Sequence, residues 1–245
     1  MTAVTVVTAP SHRIRWSVSV RPETWDRHSL AKRRCDPKFD RFTWLDQVHG
    51  GATVTVQNPG EHREAVADAA VTDTVSSILV VRTADCAPIL FEGVDSARQT
   101  PVLGVAHGGW KGLTEGVVSE TVTAMHALGA DRIQAWLGPC IEGECYEFGT
   151  EILTTMVERF GPAVRGVTRW GTPSLNMVEL VGAVVRNAGI TDGGLLPGWT
   201  CTACDSSQRY SHRARHEVGR MALIAEILPA ASAKSVLQSP HEVKT

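Results

Sequence analysis

No apolar run in this sequence approaches the ~18 uninterrupted residues that a membrane-crossing helix requires, so no spanning segment is expected. The opening stretch, MTAVTVVTAPSHRIRW, lacks a charged region followed by a long apolar core, so no secretory leader is expected. No internal repeat, low-complexity block or compositional break marks a linker. Neither sign of charge dominates. With Lys+Arg 24 against Asp+Glu 26, the net charge of -2 does not draw the chain as a whole to nucleic acid or anionic membrane. A local basic patch remains at Arg209, Arg213, Arg215 and Arg220. A Walker A loop, G-x-x-x-x-G-K-[ST], is missing, and so is any His-x-His pair. These absences point to a cytoplasmic protein with no nucleic-acid, membrane or obligate protein partner.

What is present suits a globular protein. The chain has 245 residues and is 43% hydrophobic, enough for a sizeable core. Ile14, Trp16, Val18 and Val20 alternate as in a strand. Residues 21–42 read as charged and irregular. Further strands are expected at Ala52–Val56, Ser77–Arg82, Pro88–Phe91, Val102–Ala106 and Ile133–Leu137, with 57–67 and 92–101 as loops. Val118, Val122, Met125 and Leu128 recur at helical spacing, with Gly129 placed to end that helix. Helices are also expected at Glu151–Phe160, Val178–Asn187 and Glu217–Leu228. Strands and helices mix throughout, so the expectation is a single α/β domain over 1–245, with a loose tail from about residue 229. Its six cysteines are expected to be reduced thiols.

Three segments carry reactive groups where a strand meets a turn. In Asp46-Gln-Val-His-Gly50 a histidine precedes two glycines and a strand; alone, it reads as an ordinary surface or core histidine. In Arg82-Thr-Ala-Asp-Cys-Ala-Pro88 the proline disfavours a helix at Ala87, so Cys86 sits on a bend beside Asp85. Asp85 would raise a free thiol's pKa, whereas a metal ion deprotonates the thiol. The bland alternative is a buried structural cysteine. In Val105-Ala-His-Gly-Gly-Trp-Lys-Gly112 a strand ends in His107 and a glycine turn opens a helix, suiting an anion with Lys111 as a point charge. Together His49, Cys86 and His107 form the N/S/N set that zinc favours. Three protein ligands leave a fourth position for water or substrate, as in catalytic zinc sites. Cys201-Thr-Ala-Cys204 is a lone C-x-x-C that needs a second pair for structural zinc, and Cys140 and Cys145 are available to supply it. His212 and His216 lie at i, i+4 in a run without an apolar side, which reads as a solvated basic segment. Trp110 is placed to stack on a base; the other tryptophans read as core.

The chain resembles the YfiH/YlmD laccase-domain family, once described as multicopper polyphenol oxidases. The resemblance rests on DQVHG at 46–50, ADAAVTD at 67–73, TADCAPILF at 83–91, AHGGWKG at 106–112, GPCIEGECYEFG at 138–149 and SHRARHEVGRMA at 211–222. It implies an α/β domain of the YfiH type and a metal, usually zinc, on His49, Cys86 and His107. It also implies phosphorolysis of purine nucleosides (adenosine, inosine, guanosine and methylthioadenosine) with adenosine deamination. On that reading Cys86, Asp85 and His107 are the catalytic candidates, with Asp85 as acid or base at the purine. Gln47, Arg82, Lys111 and Arg213 are the candidates for holding nucleoside and phosphate. Three features depart from the family pattern. HGGWKG stands where HAGWRG is usual, so Lys111 replaces an arginine and Gly108 is expected to add flexibility. Glu142-Gly143-Glu144 adds carboxylate charge, and 92–101 reads as a variable loop. Other readings are a Cys86–His107 hydrolase or peptidoglycan-editing factor acting on a muropeptide precursor, a polyphenol oxidase (laccase), and a non-catalytic metal- or partner-binding protein.

Overall fold

The computed structural model describes residues 14–229. Its first half contains β1 (Ile14–Val18), α1 (Arg27–Arg34), β2 (Phe42–Trp44), β3 (Thr53–Thr55), β4 (Ala69–Thr72), β5 (Ile78–Thr83), β6 (Ala87–Asp95), β7 (Thr100–Gly108), α2 (Trp110–Glu115) and α3 (Val117–Ala127). The second half adds β8 (Arg132–Leu137), α4 (Thr150–Phe160), β9 (Arg165–Val167), β10 (Pro173–Leu175), α5 (Met177–Asn187), β11 (Gly193–Leu195), α6 (His212–Arg215) and β12 (Met221–Ile227).

Two sheets organise this mixed α/β fold. One has the order β1-β12-β5-β2 and the other β11-β8-β6-β7-β4-β3. Period-two alternation in the strands decides how they stack. Leu79 and Val81 of β5 and Leu223, Ala225 and Ile227 of β12 join Leu90 of β6 and Leu103 and Val105 of β7 in one buried cluster between the sheets. Ile78, Val80 and Ala222 point the other way, toward Trp25, Leu30 and Trp44. On the far face of the larger sheet, Ile89 and Phe91 pack with Val118 and Met125 of α3 and Leu180 and Val184 of α5. Truncating a side chain such as Leu90 to alanine in a core of this kind costs about 2–5 kcal/mol.

Several expectations fail in informative ways. Residues 217–228 contain a strand, not a helix: β12 lies between β1 and β5, antiparallel to both. Met, Ala, Leu and Glu favour helices as single residues. Here nearly every position of β12 is buried, so the run lacks alternation and reads equally well as a buried helix. Residues 92–101 are not a long loop. β6 runs to Asp95 and pairs with β7 from Thr100, and the Asp95 carboxylate closes the turn by accepting from the backbone N–H groups of Ala97 and Arg98. Residues 21–42 are not irregular either, since α1 forms there. Asp26 caps it by accepting from Ser29 N at 2.8 Å, and Lys32, Arg33 and Arg34 occupy its last turn, where cations suit the helix dipole. Gly129 follows α3 with φ +94, as expected for the residue that ends a helix. Nearly all of the tail expected from about 229 lies outside the described residues. Among the described residues, no helix is long and apolar enough to cross a membrane.

Candidate metal centre

The fold brings His49, Cys86 and His107 together. His107 is the penultimate residue of β7, opposite Pro88. Cys86 immediately precedes β6, so the β6–β7 ladder sets both positions. His49 comes from the turn after β2. Its Nε2 lies 3.7 Å from Cys86 Sγ, and its ring meets the His107 ring edge-on, with centroids 4.7 Å apart. One ligand atom from each of the three falls within 4.8 Å of the others.

Asp68 holds two of these residues in place. Its buried carboxylate accepts from Val48 N at 3.1 Å, His49 N at 2.9 Å and Gly50 N at 2.8 Å. It also pairs with His107 Nδ1 at 2.7 Å. That pairing commits Nδ1 and leaves Nε2 to the site, the usual support for a metal-ligating histidine. His49 has φ +63, a strained region for a residue with a Cβ, and the three N–H bonds hold it there. Gly109 must lack a side chain: a Cβ there would lie 2.6 Å from His49 Cδ2 and 3.5 Å from Cys86 Sγ. Gly108, expected to be flexible, is fixed in the β7 ladder opposite Ala87.

The electrostatics suit a bound cation. Burial works to raise the Cys86 thiol, but the His107 charge and hydrogen bonds from His107 and His49 prevail, bringing it down to about 6. Burial works equally against charge on His107, but Cys86 and Asp68 lift it to about 9. Both shifts run in the direction of a thiolate facing an imidazolium. A divalent ion can take the place of the imidazolium proton and face the same thiolate, so the donor set fits zinc. In metal-stripped protein, alkylation of Cys86 by iodoacetamide is expected to be half-maximal near pH 6. Peptide mass mapping across pH checks this, and a midpoint near that of a free thiol, about 8.5, would contradict the ion pair.

The trio lies in a cavity of about 730 Å³ that is also lined by Gln47, Arg82, Asp85, Trp110, Tyr146 and Arg213. Gln47 uses both ends of its amide on the backbone of Arg82, at 2.9 Å each, and so fastens the His49 turn to β5. The Arg82 guanidinium donates to the carbonyls of Leu45 and Trp25. Asp85 has φ +96. Its two carboxylate oxygens accept from Thr202 Oγ1 and Arg213 N, both at 2.6 Å. Arg213 lies over the Tyr146 ring at 4.8 Å and is exposed. Lys111 is exposed, with its Nζ over the Trp110 ring at 5.6 Å, and is not among the lining residues. His212 and His216 are exposed at the two ends of the short α6.

Sequence reasoning missed Asp68, Tyr146 and Thr202 as site residues. Asp68 left one signal, an acid embedded in the apolar stretch ADAAV. Tyr146 and Thr202 left none, because each reaches the site through a loop fold.

A family model described as "Multi-copper polyphenol oxidoreductase laccase" matches residues 24–227. The chain is 35% identical over 190 residues to a protein of Xylella fastidiosa (strain 9a5c) named "Purine nucleoside phosphorylase", covering 75% of this chain and 71% of that one. A Streptomyces coelicolor protein of the same name is 38% identical over 188 residues, with 74% and 73% covered. The Escherichia coli (strain K12) "Purine nucleoside phosphorylase YfiH" is 32% identical over 181 residues, with 73% and 71% covered. Among solved structures, YlmD from Geobacillus stearothermophilus superposes with a TM-score of 0.73 at 21% identity, covering 90% of this chain and 94% of that one. Bacillus licheniformis YfiH gives 0.72 at 20% identity, with 87% and 92% covered. With the matched segment spanning both sheets and the three turns that carry His49, Cys86 and His107, this chain belongs to the laccase-like family of YfiH and YlmD.

Proposed function

We propose that the chain is a cytoplasmic, zinc-dependent purine nucleoside phosphorylase that acts on adenosine, inosine, guanosine and methylthioadenosine and also deaminates adenosine. The observation that carries this reading is the convergence of His49, Cys86 and His107 within 4.8 Å beside a cavity large enough for a nucleoside. The names of the relatives support the substrate class. Zinc held by the trio would supply Lewis acidity, polarising an oxygen and acidifying water toward neutrality.

The surrounding residues provide binding and order. Trp110 and Tyr146 offer ring faces for the purine. Burial pushes the Tyr146 hydroxyl up to about 12, so it stays protonated and serves as a neutral donor. Arg213 is assigned to phosphate, being charged and exposed at the cavity wall. Asp85 is assigned to positioning the Cys86 bend, because both of its oxygens are already bonded. In phosphorolysis, phosphate attacks the anomeric carbon and the purine leaves from it. In deamination, water adds at C6 and ammonia leaves from the same carbon.

Incubation with inosine tests the core of the proposal. Hypoxanthine and ribose 1-phosphate are expected only when phosphate is supplied; no turnover of any of the four nucleosides with phosphate present would overturn it. Arg213→Ala is expected to raise the phosphate KM about tenfold, the loss of a charge-assisted contact worth about 1.5 kcal/mol. Lys111→Arg should change the phosphate KM less than about twofold, since Lys111 lies outside the lining. The reverse order of effects would return the phosphate to Lys111.

A second reading has one observation in its favour. Cys86 lies within 4.8 Å of His107, which in turn pairs with Asp68 at 2.7 Å, an arrangement that suits a cysteine hydrolase. In that case the trio would hold no zinc, and the protein would cleave an amide or muropeptide substrate.

A further inference from the structure

A second thiol cluster lies away from the trio. Cys145 closes the turn Gly143–Cys145, and Cys201 and Cys204 come from the loop after β11. Their sulfurs lie within 4.8 Å of one another, with Cys145 and Cys204 at 3.5 Å. Three sulfurs on a tetrahedral zinc, each about 2.3 Å from the ion, stand about 3.8 Å apart. The Glu144 carboxylate approaches Cys204 Sγ at 3.7 Å and adds an oxygen donor. A cationic nitrogen already sits among these donors. Arg169 Nη2 contacts Cys145 Sγ, Cys204 Sγ at 3.0 Å and Glu144 Oε1 at 2.9 Å. The Arg169 side chain is half exposed and borne on the turn between β9 and β10, so solvent is open to it when it is displaced.

We propose that Cys145, Cys201 and Cys204, with Glu144 as fourth donor, bind a second, structural zinc ion at the point marked by Arg169 Nη2. A divalent ion takes three thiolates and releases their three protons to solvent.

The location gives this zinc a purpose. It would staple residues 138–146 to residues 200–205, the two loops that brace the Cys86 bend. Ile141 N donates to Asp85 O at 3.0 Å, Thr202 N donates to Cys140 O at 3.1 Å, and Thr202 Oγ1 donates to the Asp85 carboxylate. Tyr146, next to Cys145, lines the cavity. The staple therefore fixes the wall of the candidate active site without touching substrate.

The test is zinc content by mass spectrometry, measured on the full chain purified without chelators. About two ions per chain are expected in the wild type. About one is expected in His107→Ala and one in Cys204→Ser, with none in the double variant. A wild type holding about one ion that disappears in His107→Ala overturns the second site. So does a Cys145–Cys204 disulfide in freshly purified protein. Because Cys204→Ser risks poor folding, the His107→Ala protein is also stripped of metal under reducing conditions and titrated with cobalt(II). A thiolate-to-cobalt charge-transfer band with tetrahedral ligand-field absorption supports the site, and its absence overturns it. The proposed trio is judged separately: if it alone fails, His107→Ala keeps all of the zinc that the wild type holds.

Discussion

Replacing His49 with alanine is expected to abolish the proposed phosphorolysis and deamination together and to remove the zinc proposed for the trio. The two reactions have different nucleophiles but share one Lewis acid on the proposed reading, so the loss of a ligand strikes both. Two remaining donors do not make a catalytic zinc site, which needs three protein ligands. The Lewis acid contributes several kcal/mol at the transition state. At about 1.4 kcal/mol per factor of ten, the expected fall in kcat/KM is about a thousandfold or more for both reactions. His49 is the informative ligand because its side chain is exposed and no core packing depends on it. The one structural concern is its φ of +63, a strained conformation that the histidine already adopts and that alanine must keep. His49→Asn answers that concern, since asparagine tolerates this region and lacks an imidazole. Both variants should remain folded by circular dichroism, lack the zinc of the trio and be inactive on inosine with phosphate and on adenosine without it. Deamination that survives while phosphorolysis dies would show that the metal is not shared.

Motifs were more legible in the sequence than the contacts joining them. His49, Cys86 and His107 each occupy a turn at the end or start of a recognisable strand, and a set of two histidines and a cysteine by itself points to one metal. Their convergence depends on register: β6 pairs with β7 so that Pro88 faces His107, which brings Cys86 to the same edge. No local pattern encodes that pairing. Lys111 shows the opposite case. Its motif position suggested an anion ligand, yet the side chain turns over Trp110. Gln47 and Arg82 read from the motifs as substrate ligands, yet Gln47 uses both ends of its amide on the Arg82 backbone, and the two terminal nitrogens of Arg82 donate to two carbonyls. Long, periodic elements such as α3, α4 and α5 were readable because one face repeats. β12 was misread because tertiary burial on both faces erased the alternation that marks a strand.

Substituting Asp68 should have the largest effect on stability of any change near the site, and asparagine should not rescue it. Every lone-pair direction in use on this carboxylate faces a donor. Oδ1 accepts from His49 N and pairs with His107 Nδ1, while Oδ2 accepts from Val48 N and Gly50 N. An asparagine must turn its NH₂ toward one of those two sets, placing donor against donor. Removing one partner of a buried charged pair costs about 3–5 kcal/mol. For a chain of this size that lowers Tm by about 10 °C. The His49 turn and the His107 tautomer both depend on Asp68, so zinc affinity should also fall at least 10–100-fold, the usual effect of losing a hydrogen bond behind a metal ligand. The pH dependence identifies the cause. Burial works to raise the Asp68 pKa, but the His107 bond and the backbone donors outweigh it and leave it below 3.8. A carboxylate lowered in the folded state stabilises the fold above its unfolded pKa and loses that contribution as pH falls through the folded value. The Tm gap between wild type and Asp68→Asn should therefore be widest near neutral pH and narrow progressively below about pH 4. A variant with wild-type Tm and zinc affinity at pH 7 would show that the Asp68 cradle supports neither the turn nor the metal ligands.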